Sequence, residues 1–207
     1  MEVVLDVYKR TYNPKCPVIC MDETPKQLIG EMKTSIKERP GYPARHDYEY
    51  RRNGVCNVFM ASEPLVGKRY ASVTYTKKKA DWAIFIKSIS ERYTNAEKIT
   101  LVMDNYGTHS IGAFYEAFPP EEAKALVDRF EFIYTPKHGS WLNMAEIELN
   151  VLQKQCIGGR IDNIETLEFE VNHWVSARNK KVSNINWQFT KQDSRIKLKR
   201  LYPSIEA

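Results

Sequence analysis

Two short apolar runs in this sequence stop abruptly at an acidic residue. Residues 99–103 (ITLVM) are followed by Asp104, and residues 17–21 (PVICM) are followed by Asp22. Runs of this length and composition are typical of strands that are buried on both faces. A carboxylate at the end of such a strand costs several kcal/mol unless it has a partner. The two runs therefore predict a sheet whose strand ends bind something.

The patterns elsewhere in the chain alternate between strands and helices. Further strands are predicted at residues 55–60, 69–75 and 130–134, and helices at residues 79–93, 110–118, 120–130, 144–156 and 166–178. This order favours an α/β fold with a mixed central sheet flanked by helices. Residues 31–53 lack periodicity, so we expect them to form a long surface loop or arm.

Composition limits the classes of protein to consider. The 207 residues suffice for one sizeable domain, and the net charge of +5 is clustered, notably in residues 51–52, 77–79 and 195–200. Such clusters suit a polyanionic partner, although a solvated surface shows them too. The four cysteines lack zinc-ligand spacing, and no run approaches the roughly 20 apolar residues of a membrane span. We therefore expect a soluble intracellular protein with free thiols and no membrane partner.

The acidic residues suggest a metal site. Asp22 and Asp104 are expected to lie side by side in the crevice where open α/β sheets bind ligands. Asn143 can cap a helix whose first turns carry a third acid, either Glu146 or Glu148. These two acids point to different sides of the helix, so at most one can face the strand ends. Clustered carboxylates repel one another unless a cation lies among them, and oxygen ligands favour Mg²⁺ or Mn²⁺.

Each acid also has a simpler interpretation. Asp104 and Asn105 can form an Asx-turn, and Glu146 can be an ordinary first-turn helix acid. Glu23 is a rival to Asp22, but adjacent strand residues face opposite ways, so only one of them can enter a site. The combination of two acid-ended strands and a capped acidic helix favours a site holding two ions roughly 3.5 to 4 Å apart, suited to phosphodiester chemistry.

Three segments, VICMDETPKQLIGE, ITLVMDNYGTHS and FIYTPKHGSWLNMAEIE, closely resemble the catalytic domain of DDE transposases of the mariner superfamily, particularly its bacterial insertion-sequence branch. The resemblance covers most of residues 12–180. It implies an RNase H-like fold with two acids on neighbouring strands and one on a later helix. The dipeptide Met144-Ala145 departs from the usual Pro-Ile, and the last two acids are 42 positions apart, somewhat wider than expected. The family's acids correspond here to Asp22, Asp104 and Glu146.

The resemblance implies a transposase catalytic domain. It would hold two Mg²⁺ or Mn²⁺ ions, cleave DNA at the 3′ ends of an element and transfer those ends to target DNA at TA dinucleotides. Double-stranded DNA would be the partner, with at least a homodimer holding both element ends, in a bacterial cytoplasm and associated with the nucleoid. Two alternatives remain open: an RNase H-like nuclease or resolvase without strand transfer, and an inactive DNA-binding remnant.

Neighbouring residues extend the predicted site. Asn105 and His109 complete an Asp-Asn-x-x-x-His pattern that the family shares. His109 is predicted either to orient a phosphate or a metal-bound water or to cap the following helix. Basic side chains in the arm, at a helix start and in the loop before Glu146 are predicted to contact phosphates: Arg45, Arg51, Arg52, Lys77, Lys78, Lys79, Lys137 and His138. A solvated surface is the simpler interpretation of any single lysine.

Three parts are predicted along the chain. Residues 1–15 would be an N-terminal connector, residues 16–182 the RNase H-like DDE catalytic domain, and residues 183–207 a basic tail. The tail is expected either to cross to a second subunit or to lie along DNA. Mariner-type enzymes place helix-turn-helix modules before this domain, so a separate helix-turn-helix segment is a further expected partner.

Overall fold

The computed structural model describes residues 1–33, 36–43, 45, 48–137 and 139–202. Within these ranges the strands are Val18–Glu31 (β1), Tyr50–Glu63 (β2), Lys68–Thr74 (β3), Ile99–Met103 (β4) and Phe130–Tyr134 (β5). The α-helices are Glu2–Tyr8 (α1), Lys79–Arg92 (α2), Ile111–Ala117 (α3), Pro120–Asp128 (α4), Ala145–Leu152 (α5), Ile164–Lys180 (α6) and Lys191–Lys197 (α7). A π-helical turn, Gln153–Ile157, directly continues α5. The predicted strands and helices occur in the predicted order, and α1 and α7 are present in addition to them.

One five-stranded sheet organises the chain, with the strand order β3-β2-β1-β4-β5. Strands β1, β2 and β3 are antiparallel neighbours, whereas β4 runs parallel to β1, and β5 runs parallel to β4. Helices cover both faces of this mixed sheet, so the predicted fold class is confirmed. Because β1 and β4 are parallel neighbours, the residues that follow their paired segments lie at the same edge of the sheet.

The two faces of the sheet carry separate cores. On one face, apolar residues of α2, α3 and α4, including Trp82 and Phe114, pack against Ile19, Met21 and Leu101. On the other face, one cluster joins α1 and the start of α5 to β1 and β4, and a second cluster joins α5 and α6 to β2. No helix in the described ranges is long and apolar enough to cross a membrane.

Strand β1 is longer than the sequence predicts. It continues to Glu31, because β2 pairs with it from Cys20 to Glu31 and supplies hydrogen bonds after β4 has ended. The prediction that this strand ends at Asp22 is therefore wrong, whereas β4 does end immediately before Asp104. Asp22 lies inside β1, just beyond the segment that pairs with β4.

The segment predicted to be a connector contains helix α1. Its Val4, Leu5 and Val7 are buried and pack in the same cluster as Cys20 and Leu142. The sequence reading missed this helix because its seven residues are too few to show a helical repeat. The division of the chain into domains stays a prediction.

The described part of the basic tail folds back onto α1. Lys191 Nζ lies 2.6 Å from Asp6 Oδ1, and Arg195 Nε lies 2.7 Å from Glu2 Oε1. Trp187 and Phe189, which precede α7, pack against the cluster that contains the buried residues of α1. These contacts attach the tail to its own chain. The two predicted alternatives, a tail that crosses to a second subunit and a tail that lies along DNA, did not include such contacts.

Candidate active site

The register of β1 and β4 brings Asp22 and Asp104 to one face of the sheet. Cys20 pairs with Val102 in the parallel ladder, and each acid lies two residues beyond its member of that pair. Side chains two residues apart on a strand share a face. Cys20 and Val102 pack in a cluster with Ala145, the first residue of α5. Both acids are therefore on the face that α5 covers.

Buried Asn143 connects β1 to the start of α5. Its Nδ2 donates to the backbone oxygen of Met21 at 2.7 Å and to Asp22 Oδ2 at 3.4 Å. Its Oδ1 accepts the Ala145 N–H at 3.2 Å, and its backbone oxygen accepts the Glu146 N–H at 3.1 Å. The N-cap of α5 is Met144, so Asn143 stands one residue before the predicted position, although its side chain does bond the N–H of Ala145. These bonds hold the first turn of α5 against the strand that carries Asp22.

Negative charge accumulates at Asp22. Burial raises the pKa of its carboxyl to about 7, and the charges of Glu23, Asp104 and Glu146 act in the same direction. The Glu23 N–H opposes this rise in pKa by donating to Asp22 Oδ1 at 2.8 Å. The charges of Asp104 and Glu146 therefore act unfavourably on ionised Asp22, and a cation bound among these acids would relieve that repulsion.

Glu148, the alternative third acid, has a different role. Its side chain is 0% exposed and accepts two hydrogen bonds from Arg69, at 2.7 and 2.9 Å, and two from Arg178, at 2.8 and 3.2 Å. Burial alone would raise the pKa of Glu148, but the bonds from both guanidinium groups lower it. Glu148 therefore joins α5 to β3 and α6, whereas the charge of Glu146 acts on Asp22.

His109 is buried between two carboxylates. Its Nδ1 lies 2.7 Å from Asp104 Oδ1, and its Nε2 lies 3.1 Å from Glu23 Oε2. Burial would lower the pKa of the imidazole, but these two bonds outweigh burial and raise the pKa to about 9. The ring is then protonated at neutral pH and donates from both nitrogens. The prediction that His109 caps the next helix is wrong, because Ser110 is the N-cap of α3.

The loop after β4 holds Asp104 through one oxygen. The Tyr106 N–H donates to Asp104 Oδ1 at 3.2 Å, which forms the predicted Asx-turn, and Asn105 lies exposed within that turn. His109 contacts the same oxygen. Since both contacts fall on Oδ1, Oδ2 is the oxygen through which Asp104 can bind a ligand.

Lys77 is a predicted DNA contact that lies beside Glu23, the neighbour of Asp22 on β1. Its Nζ is 3.7 Å from Glu23 Oε1 and 4.7 Å from the centroid of the Tyr106 ring, which is 47% exposed. Lys78 and Lys137 are exposed on the surface. His138 lies outside the described residues. A cationic and aromatic surface therefore borders the acids on the side of the loop after β4.

The predicted arginine contacts are not gathered at the acids. Arg51 and Arg52 are exposed near the start of β2, and Arg45 is exposed in the segment that precedes this strand. Arg52 pairs with Ile29, which follows Asp22 by seven positions on β1. At about 3.3 Å per residue, that separation is roughly 23 Å. These arginines form a second basic surface at a distance from the acids.

Asp22, Asp104 and Glu146 could hold a divalent metal ion. Carboxylate oxygens suit Mg²⁺ and Mn²⁺; the pKa of Asp22 is raised mainly by burial and further by the charges of neighbouring acids, and a bound cation would favour its ionised form. Among the described residues, no three His, Cys, Asp or Glu side chains form a preassembled metal cluster. Within this candidate metal site, His109 contacts Oδ1 of Asp104. The residues fit a hard cation in donor type and charge.

Sequence reasoning missed two features of this site. Glu23 was considered only as a rival to Asp22, yet it contacts His109 on the other side of β1. Asn143 was expected only as a helix cap, yet it also bonds β1. The signal for Glu23 was present in the Asp22-Glu23 dipeptide, because an acid that faces away from a metal site requires its own partner.

Three structures of Mos1 have a similar fold. The Mos1 strand transfer complex aligns with a TM-score of 0.59 and 15% identity, over 88% of this chain and 53% of that chain. The Mos1 mariner paired end complex with Mn gives 0.57 and 15%, over 88% and 56%. The Mos1 transposase paired-end complex with the left transposon end gives 0.57 and 14%, over 95% and 57%. This chain thus shares the RNase H-like fold and spans little more than half of each Mos1 chain.

Sequence comparison identifies the family. No curated protein sequence matches this chain. The family model described as DDE superfamily endonuclease matches residues 17–168, which include all five strands and the three acids Asp22, Asp104 and Glu146. Because this match covers well over half of the sequence, the chain belongs to the DDE superfamily endonucleases.

Proposed function

We propose that this chain is the catalytic domain of a transposase that cleaves DNA at the 3′ ends of an element and joins those ends to target DNA. The observation that carries the proposal is the placement of Asp22 and Asp104 on neighbouring strands, on the sheet face that is covered by the start of α5, whose first turn carries Glu146. Membership of an endonuclease superfamily supports DNA cleavage. The fold also occurs in Mos1 strand transfer and paired-end complexes.

The chain's residues have distinct tasks in this chemistry. When bound, two Mg²⁺ or Mn²⁺ ions activate the attacking oxygen and stabilise the leaving oxygen of a phosphodiester. Asp22, Asp104 and Glu146 would hold the ions. Asn143 keeps Asp22 in position relative to the first turn of α5, and His109 orients Asp104 by holding its Oδ1. The same acids would serve both steps. In the first, water attacks the phosphate and the P–O3′ bond breaks, which frees the 3′-hydroxyl of the element end. In the second, that hydroxyl attacks a target phosphate, whose own P–O3′ bond breaks and leaves a 3′-hydroxyl on the target strand.

The basic surfaces would position DNA over the acids. Lys77, beside Tyr106, is suited to a phosphate next to the scissile bond, with Lys78, Lys137 and His138 as further contacts. Arg45, Arg51 and Arg52 would contact the duplex farther along. At 3.4 Å per base pair, the separation of roughly 23 Å estimated above from the strand rise corresponds to about seven base pairs. Contacts of this kind position the duplex and do not read its sequence.

Recognition of element ends then requires further parts. We assign sequence-specific binding to a helix-turn-helix segment outside these residues, and joint handling of two ends to at least a homodimer. The resemblance noted in the sequence favours the bacterial insertion-sequence branch, joining at TA dinucleotides and an association with the bacterial nucleoid in the cytoplasm.

Nicking of supercoiled plasmid DNA tests the catalytic assignment. The wild type is expected to nick in the presence of Mg²⁺ or Mn²⁺ and to lose this activity in EDTA. Asp22→Asn, Asp104→Asn and Glu146→Gln, which remove charge with little change in shape, are each expected to reduce nicking to background. Glu168→Gln is the matched control, because Glu168 is exposed on α6. Nicking that survives all three site substitutions would contradict the assignment.

A second assay separates the transposase from its rivals. A DNA end with a pre-cleaved 3′-hydroxyl is incubated with target plasmid, and covalent joining is measured. The proposal expects joined product that depends on the same three acids. Nicking without joining would instead indicate a nuclease or resolvase. DNA binding that neither requires metal nor leads to cleavage would indicate an inactive remnant.

A further inference from the structure

A hydrogen-bonded chain of three side chains crosses from β1 to the loop after β4. Glu23 Oε2 accepts from His109 Nε2 at 3.1 Å, and His109 Nδ1 donates to Asp104 Oδ1 at 2.7 Å. The side chain of His109 is 0% exposed and that of Glu23 is 6% exposed. Trp82 packs near the imidazole, with ring centroids 5.7 Å apart and an interplanar angle of 32°. The ring is thus held at both nitrogens and on one side.

The position of Glu23 explains why it takes this partner. Adjacent residues on a strand face opposite sides, so Glu23 points away from the face of Asp22 and α5. It cannot join Asp22 and Glu146 as a ligand, and a nearly buried carboxylate without a partner would be costly. His109 lies within reach of Glu23 and also touches Asp104. Glu23 is therefore connected to the acidic site through the imidazole.

A carboxylate that binds a metal ion depends on the groups that orient it. Loss of such an outer partner typically lowers metal affinity or activity by about 10- to 100-fold. With Asp104 as its only polar contact, the His109 ring could turn about its side-chain bonds, and Asp104 would turn with it. A second contact at the opposite nitrogen removes that freedom. Glu23 supplies this contact.

We propose that Glu23 is a positioning residue, which fixes His109 so that His109 holds Asp104 in the orientation that binds a divalent metal ion. This inference rests on the proposed function. It assigns Glu23 a role through His109 rather than as a ligand. A second route exists in principle, because Lys77 Nζ lies 3.7 Å from Glu23 Oε1. An experiment must therefore separate the effect on His109 from the effect on Lys77.

The substitution His109→Asn makes this separation possible. An asparagine amide can replace the Nδ1 donor to Asp104, but its side chain is too short to reach Glu23. In the wild-type background, Glu23→Ala is expected to weaken Mn²⁺ binding by about 10- to 100-fold. In the His109→Asn background, where the connection is already broken, the same substitution is expected to change Mn²⁺ binding by less than about twofold. Such non-additivity identifies residues that act through one another.

The primary measurement is the Mn²⁺ dissociation constant, determined by electron paramagnetic resonance on the full chain, with nicking rates measured in parallel. Glu23→Gln keeps an acceptor oxygen of the same reach, so it is expected to lose less affinity than Glu23→Ala. It also replaces Glu23→Ala in the cycle if that variant does not fold in a thermal melt. Glu168→Ala, an exposed acid on α6, is expected to leave both readouts unchanged.

Three outcomes would overturn the inference. The first is wild-type Mn²⁺ affinity in both Glu23→Ala and Glu23→Gln. The second is an equal loss of affinity from Glu23→Ala with and without His109→Asn. The third is coupling of Glu23→Ala to Lys77→Met in place of coupling to His109→Asn. In each of these outcomes the wild type still binds Mn²⁺ and still nicks DNA, and the nicking still requires Asp22. Failure of the proposed function itself would appear differently, as a wild type that does neither.

Discussion

Glu146 and Glu148 lie two residues apart on α5, and alanine should affect a different property at each. We expect Glu148→Ala to lower stability and Glu146→Ala to abolish DNA nicking. Glu148→Ala removes the partner of Arg69, whose side chain is 1% exposed, and of Arg178. Removing one member of a buried ion pair typically costs about 3 to 5 kcal/mol, because the remaining charge is left without compensation. Glu148→Ala is therefore expected to lower the free energy of unfolding by about that amount. Glu146→Ala, at a partly exposed position, should change it by less than about 0.5 kcal/mol.

Urea unfolding at neutral pH measures this difference. With a slope of about 2 kcal/mol per molar, a loss of about 4 kcal/mol lowers the midpoint by about 2 M. Glu148→Gln keeps the shape and one acceptor oxygen, so it should fall between the wild type and Glu148→Ala. Glu146→Ala should unfold like the wild type and yet fail to nick DNA. Equal losses from the two alanine variants, or a loss below about 1 kcal/mol for Glu148→Ala, would refute the assignment of Glu148 to the fold.

Three further predictions concern the ends of the chain and its DNA contacts. The hydrogen bond from Arg10 lowers the pKa of Glu131 from 4.5 to about 2. The stability that this pair contributes is therefore present above pH 4.5 and lost as the pH falls toward 2, and thermal melts of Glu131→Gln and the wild type should converge in that window. Leu5→Ala should cost about 2 to 5 kcal/mol in urea unfolding, because Leu5 is 1% exposed within the core, whereas a loss below 0.5 kcal/mol would mean that α1 is dispensable. Lys77→Ala should weaken duplex binding similarly for all sequences and reduce the salt slope of log K by about 0.9, and an unchanged slope would exclude a phosphate contact.

The strands and helices were predictable because their side-chain patterns are local. Strand β4 has five buried residues, four of them apolar, with a polar residue after it, and the helix at residues 79–92 repeats its apolar positions at helical spacing. The continuation of β1 to Glu31 could not be read from periodicity, because it depends on pairing with a distant β2. Helix α1 is likewise stabilised by tertiary contacts, which cannot be predicted from the sequence of a seven-residue segment.

The candidate site was likewise predictable only in part. The positions of Asp22 and Asp104 after apolar runs indicated where acids would gather. Helical geometry indicated that Glu146 and Glu148 would separate, but not which of them faces the strands. That choice depends on Arg69 and Arg178, which lie 79 and 30 positions from Glu148 in the sequence. Contacts between such distant residues are set by the packing of β3 and α6, which no local pattern encodes.

The central claim is that Asp22, Asp104 and Glu146 share divalent cations, and a Mn²⁺ titration tests it most directly. Isothermal titration of the wild type and of Asp22→Asn, Asp104→Asn and Glu146→Gln gives the number and affinity of the bound ions. We predict two Mn²⁺ ions on the wild type and the loss of at least one from each variant, with thermal unfolding unimpaired. Undiminished binding of both ions by all three variants would contradict the account.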